Sequence, residues 1–202
     1  TTGSPDKYDI DFDATSESQG FVDVSNENLS GGSIVITIPP NPTPASYYAE
    51  LVVRNSLTGC VSGIYPFLVI VNPTPTITLS TFPVVCSGTT TANLPYTGTT
   101  NSPDLYNIDF DAIAELAGFS DVPNTALPSS PIVIDVPVAP SPSTYNANLR
   151  VTISSTGCYS SNYPITVTVN ARPEITLGTN PEVCSGIATA NLSYSATYGS
   201  PN

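Results

Sequence analysis

The sequence predicts an all-β protein built of tandem antiparallel β-sandwiches. Three observations carry that prediction. The chain repeats itself after 98 residues, its apolar residues alternate with polar ones, and Pro, Gly, Ser and Asn punctuate the alternating runs. The self-alignment needs no gap: Ile10-Asp11-Phe12-Asp13-Ala14 falls on Ile108-Asp109-Phe110-Asp111-Ala112, Gly20-Phe21 on Gly118-Phe119, and Thr58-Gly59-Cys60 on Thr156-Gly157-Cys158. About 56 of the 104 overlapping positions are identical. A period of this length is a whole small domain, so each copy is expected to own a core.

The elements follow in chain order. Tyr106, Ile108 and Phe110 alternate with polar neighbours, as do Ile132, Ile134 and Val136, then Leu149, Val151 and Ile153, then Ile165, Val167 and Val169. Ile175 to Leu177 and Leu192 to Tyr194 open the next copy in the same way. One short helical crossover is expected at Ala112 to Gly118, with Ile113, Leu116 and Ala117 on its apolar side, and the matching Ala14 to Gly20 is a weaker helix former. Six or seven short strands per copy is the pattern of an immunoglobulin-like sandwich. Tyr145 and its counterpart Tyr47 open a strand where such sandwiches place a tyrosine corner. Prolines in Asn72-Pro73-Thr74-Pro75 and Asn170-Ala171-Arg172-Pro173 mark the boundaries. Residues 1-72 are thus expected to be a partial repeat lacking its first strands, 73-170 a complete one, and 171-202 the first strands of a third. The chain opens Thr-Thr-Gly-Ser-Pro without Met and reads as a mature or excised piece of something longer.

Composition narrows function. With 16 acidic residues against Lys7, Arg54, Arg150 and Arg172, the net charge is -12, which excludes binding to nucleic acid or anionic lipid as an expectation. No apolar run approaches the length that crosses a bilayer, so membrane insertion is not expected either. With no His, Ser-His and Cys-His nucleophilic mechanisms are absent, and no enzyme activity is expected.

Two cysteines per copy are too few for a structural zinc site and point to disulfides in an oxidising compartment. The leading pair is Cys86 with Cys158 inside the complete copy, leaving Cys60 and Cys184 with partners outside the sequence. A bridge between adjacent copies is the alternative, because simple sandwich topology puts these two words at opposite poles. A bridge closing such a loop adds about 4 kcal/mol in the chain-entropy model. The one acidic cluster, Asp9, Asp11 and Asp13, with Asp109 and Asp111 in the next copy, is read as a solvated strand face. Its sharper reading is a calcium site, with no other cofactor expected.

The words Val-Cys-Ser-Gly, Leu-Pro-Tyr, Ser-Pro-Asp-x-Tyr-x-Ile-Asp-Phe-Asp, Gly-Phe-x-Asp-Val, Thr-Tyr-Asn-Ala-x-Leu, Thr-Gly-Cys and Tyr-Pro-Ile-Thr-Val cover the whole chain. In them it resembles the tandem PKD-like, immunoglobulin-like repeats of giant Bacteroidota cell-surface proteins, nearest the gliding-motility adhesin class. The Trp-Asp-Phe-Gly word of the narrow PKD family is replaced by Ile-Asp-Phe-Asp, so the resemblance carries the broader sandwich class. It implies export by the type IX route to the extracellular bacterial cell surface and a role in a fibre or adhesin stalk. The partners it implies are neighbouring repeats of the same chain or identical subunits. The alternative is a carbohydrate-binding module repeated for avidity, with Tyr47, Tyr48, Tyr145 and Tyr159 stacking on surface glycans. Tyr48 becomes Asn146 in the next copy, which weakens that reading.

Overall fold

The computed structural model describes residues 3–198. The chain is mostly β and divides into two compact units, Thr1–Pro73 and Thr74–Asn202.

Unit 2 holds β5 (Thr76–Leu79), β6 (Val84–Cys86), β7 (Thr91–Leu94), β8 (Tyr96–Thr100), β9 (Leu105–Phe110), α2 (Ala112–Leu116), β10 (Val122–Ala126), β11 (Ile132–Asp135), β12 (Ser143–Thr152), β13 (Tyr163–Asn170), β14 (Glu174–Leu177) and β15 (Tyr194–Tyr198). One sheet runs β10-β9-β12-β13-β6, antiparallel except for the parallel pair β13 and β6. Opposite it, β7 and β8 form one run interrupted by Pro95, which has no amide hydrogen to donate to a ladder. β7 pairs with β11 and β8 pairs with β5. The alternation foreseen in the sequence sends Ile108, Phe110, Leu149, Val151, Ile165, Val167 and Val169 inward from the five-stranded sheet. Ile77, Ala92, Leu94, Ile132 and Ile134 meet them from the other side in a single core. The layering is sandwich-like.

Unit 1 holds β1 (Lys7–Phe12), α1 (Ala14–Ser18), β2 (Val24–Asn28), β3 (Ala45–Arg54) and β4 (Tyr65–Val71), in the sheet order β2-β1-β3-β4. This is the β10-β9-β12-β13 sheet of unit 2 displaced by one period. The residues equivalent to β11, Ile34 to Thr37, are not a strand. In unit 2 that segment gains its ladder from β7, and among the described residues unit 1 offers Ile34 to Thr37 no such partner.

The helices form for a different reason from the one the pattern suggests. Ile113 and Leu116 are 71% and 90% exposed, while Ala114 is buried. The expected apolar side is therefore corrected. What holds each single turn is an aspartate N-cap: Asp111 accepts from the Ala114 N–H at 2.8 Å, and Asp13 accepts from the Ser16 N–H at 2.8 Å. The cap works equally in both copies, so the weaker-looking Ala14 stretch is helical as well. Gly20 and Gly118 end the turns at φ of 94° and 99°, and a Cβ on Gly118 would stand 3.3 Å from Pro137 Cβ. The phenylalanine after each glycine then enters the core, with ring centroids 5.0 Å from Phe12 in unit 1 and 5.0 Å from Phe110 in unit 2.

Candidate functional site

The acidic residues were the first candidates for chemistry, and the structure gives most of them backbone work. Asp104 accepts from the Ser154 N–H at 2.7 Å and from its hydroxyl, and Asp6 does the same with Ser56. Those bonds, the hydroxyl first, hold both carboxyls below the usual 3.8. Asp121 accepts from the Phe110 N–H at 2.8 Å, and Asp23 from the Phe12 N–H at the same distance. Sequence reasoning missed these four. The signal was present in the recurrence of Ser-Pro-Asp and Gly-Phe-x-Asp at the same offsets from the strands they cap.

The proposed cation ligands do not come together. Asp9 accepts the Asn26 N–H at 2.8 Å and the Arg54 Nε at 2.7 Å, and the backbone bond is the first cause of its lowered pKa. Asp13 and Asp111 are occupied as caps, Asp111 also accepting from the Asn146 side-chain amide at 3.1 Å. The hydroxyl and N–H of Ser16 hold Asp13 low, and the Ala114 N–H, then Asn146, hold Asp111 low. Asp11 and Asp109 lie exposed on their strands, Asp11 directly across from Glu50 and Asp109 across from Asn148. Among the described residues no group of three acidic or sulfur ligands converges. Carboxylates already satisfied by N–H donors and a guanidinium do not fit a calcium ion, which needs six to eight oxygens.

Tyr145 and Tyr47 are buried. The Tyr145 hydroxyl donates to the Ser141 carbonyl at 2.6 Å, and the Tyr47 hydroxyl donates to the Thr43 carbonyl. This is the tyrosine-corner bond, and it removes both rings from any sugar-stacking surface. Tyr48 and Tyr159 are exposed: Tyr48 donates to Glu50 at 2.8 Å, and Tyr159 lies under Arg150, whose guanidinium carbon is 4.5 Å from the ring centroid. Beside that pair a shallow depression of about 400 Å³ is lined by Asn107, Asp109, Asn148, Arg150 and Asn162 among others. Unit 1 carries Asp9, Asp11, Glu50, Val52 and Ile64 at the matching positions, so the Arg150 and Asn162 side of the depression is apolar there and the amides become carboxylates.

The four cysteines are free. Register explains why the pair Cys86 and Cys158 is not formed. Cys86 stands beside Asn170 at one end of β13. Cys158 belongs to the tight turn between β12 and β13, where its carbonyl accepts from the Ile153 N–H at 2.8 Å. The length of β13 lies between them, about 23 Å at 3.3 Å per residue, against a Cα limit near 7 Å for a disulfide. In this geometry the thiols of Cys86 and Cys158 lie too far apart for the in-module bridge. Cys60 occupies the same turn in unit 1, and Cys184 is exposed in the tail.

No helix among the described residues is long and apolar enough to cross a membrane. No protein-family model matches the chain, and no curated protein matches it.

Proposed function

We propose that the chain is a stretch of tandem immunoglobulin-like modules from a non-catalytic fibre or adhesin stalk of an extracellular, bacterial cell surface, related to the PKD-like repeats it resembles. One observation carries this reading: between Thr76 and Asn170 the chain enters the sandwich-like layers of unit 2 at one pole and leaves them at the other. Thr76 starts β5 at the end where the Ile77 N–H meets the Tyr163 hydroxyl at 3.4 Å, and β13 leaves at Asn170 beside Cys86. Tension along such a chain loads β6 and β13 in opposite directions. Being parallel, they must lose their hydrogen bonds together rather than one by one. That is a design for transmitting force and setting reach. The recurring carboxylates serve turns and helix ends, which fits a building block better than an active centre.

The sugar-binding reading rests on the Arg150 and Tyr159 patch, and its absence from unit 1 argues against avidity by repetition. Single-molecule pulling tests the proposal. Residues 74–170 should unfold in one step that releases about 30 nm of chain, given about 3.5 Å per extended residue. Val85→Pro, which interrupts the β6 ladder between Pro83 and Ser87, should lower the unfolding force at least twofold. Unfolding at forces no higher than those of the proline variant, together with saturable binding on a glycan array, would replace the stalk with the binding module.

A further inference from the structure

The outer face of the five-stranded sheet in unit 2 carries a groove with no part in bearing tension. Tyr145, Ala147, Leu149 and Val151 point into the core, so Asn146, Asn148, Arg150 and Thr152 point out of β12. Three depressions of about 370, 400 and 350 Å³ follow that row. The first and second share Asn148, and the second and third share Asn107 and Arg150, so they run into one another. From Asn146 to Thr152 the row is about 20 Å long at about 3.3 Å per residue. An exposed aromatic ring stands at each end. Phe82 lines the Asn146 end, next to Pro83, whose carbonyl accepts from the Thr168 N–H at 3.0 Å, and Tyr159 lines the Thr152 end.

The floor suits hydroxyl groups. A hydroxyl both donates and accepts, and so does a side-chain amide. Asn107 stands across from Arg150 and Asn148 across from Asp109. Asn146 donates one amide hydrogen to Asp111 at 3.1 Å, and the Asn162 side-chain oxygen accepts from Arg150 Nε and Nη2 at 3.1 and 3.0 Å. Those bonds fix the guanidinium over the Tyr159 ring, 4.5 Å from its centroid, and leave Nη1 for a ligand. The same face of unit 1 is closed on itself. There Tyr48 donates to Glu50 and Arg54 pairs with Asp9, at the positions of Asn146, Asn148, Thr152 and Asn107, and Val52 stands in place of Arg150.

Charge selects the class of ligand. Asp109, Asp111 and Asp121 line the groove against the single cation Arg150, in a chain of net charge -12. Acidic saccharides and nucleic acid are repelled. An extended peptide gains affinity by pairing its main chain at a sheet edge, and here the main chains of β9, β12 and β13 are already paired with one another. We propose that this groove binds a neutral oligosaccharide along β12, with hydroxyls on Asn107, Asn148 and Arg150 and ring faces against Phe82 and Tyr159. It is one site in one module, so it adds a ligand to the stalk without calling on avidity. The two stand or fall separately: pulling tests the stalk, titration tests the groove, and saccharide binding at full unfolding force is the combination expected.

Nuclear magnetic resonance of the whole 202-residue chain is the test, with cellotetraose, mannotetraose and maltotetraose as neutral probes and tetragalacturonate as the acidic one. At least one neutral tetrasaccharide should move the side-chain amide signals of Asn107 and Asn148 to saturation at one site per chain. The matching disaccharide, which spans only part of the groove, should bind at least about tenfold more weakly. Tetragalacturonate should leave the signals in place. Raising NaCl from about 0.05 to about 0.5 M should change the affinity by less than about twofold, because no ion pair with the ligand is screened. Asn148→Asp and Tyr159→Ala should each weaken binding at least about tenfold, and Phe82→Ala at least about threefold. Asn93→Ala, which removes an exposed amide from β7 in the other layer, should bind like the wild type. All these positions are exposed, so β12 should keep its amide protection in every variant. Silence from every neutral probe, a stronger response to tetragalacturonate, or an affinity unchanged by Asn148→Asp or by Tyr159→Ala would each overturn the proposal.

Discussion

Unit 1 and unit 2 are nearly the same sheet in two environments. Both use an aspartate-capped turn, a left-handed glycine, an aromatic trio and a tyrosine hydroxyl bonded four residues upstream. They differ in cover. Val136 is 5% exposed in unit 2, and its equivalent Ile38 is 47% exposed in unit 1. Devices that act within a few residues of a turn are complete wherever their words occur, whereas burial requires a second layer. The comparison separates two sources of stability that usually travel together.

The largest expected contrast lies in the core. Leu149→Ala should destabilise unit 2 by about 3 kcal/mol, since it removes a fully buried side chain from a packed interior and leaves a cavity. Leu51→Ala, the same change in the half-covered copy, should cost about 1 kcal/mol, because part of that surface is already in water. Hydrogen exchange resolved by peptide reads the two units separately. Equal losses in both would mean that unit 1 is covered in solution by something acting like β5 to β8.

A smaller, matched effect is expected at the caps. Asp121→Ala and Asp23→Ala each leave the N–H of a buried phenylalanine without its acceptor, and each should cost about 1 to 2 kcal/mol in its own unit. Here the two units should agree. A cap that matters in unit 2 and not in unit 1 would show that the turns depend on the second layer after all.

The period, the strand faces and the all-β class were legible because alternation is a local record of which side faces the core. Ile165, Val167 and Val169 could be assigned to one buried face from their spacing alone. The turn at Ala112 misled, because Ile113 and Leu116 look like a helical apolar stripe, whereas the signal that mattered was the N-cap residue Asp111 directly before it. Cys86 and Cys158 misled for the opposite reason. Pairing them is a statement about distance along a strand: sandwich topology already sets their words at opposite poles, and the parallel register of β6 with β13 places the length of β13 between the two thiols. In the sequence the aspartates form a patch of charge; which N–H groups they meet depends on the turns that face each strand end, as for Asp121 with Phe110 and Asp104 with Ser154.

The smallest contrast is expected with pH. Asp6 and Asp104, held low by Ser56 and Ser154, and Asp13 and Asp111, held low by the helix caps, recur in both units. Asp9, held low by the Asn26 N–H and by Arg54, becomes Asn107 in unit 2. A carboxyl whose folded pKa lies below its unfolded value adds stability that is fully present above the unfolded value near 4 and is lost as pH falls through the folded one. Both units should therefore hold their stability from neutral pH down to about 5 and weaken below about 4. Unit 1 should weaken slightly further, since it has one more such carboxylate. Protonation also relieves the repulsion within a chain of net charge -12, which opposes the loss and keeps the effect small. Salt separates the two: about 0.5 M NaCl weakens the half-buried Asp9 and Arg54 pair and should narrow the difference between the acid profiles of the units, leaving the part due to the Asn26 N–H. Melting temperatures that rise steadily toward pH 3 would show that relief of repulsion outweighs every cap.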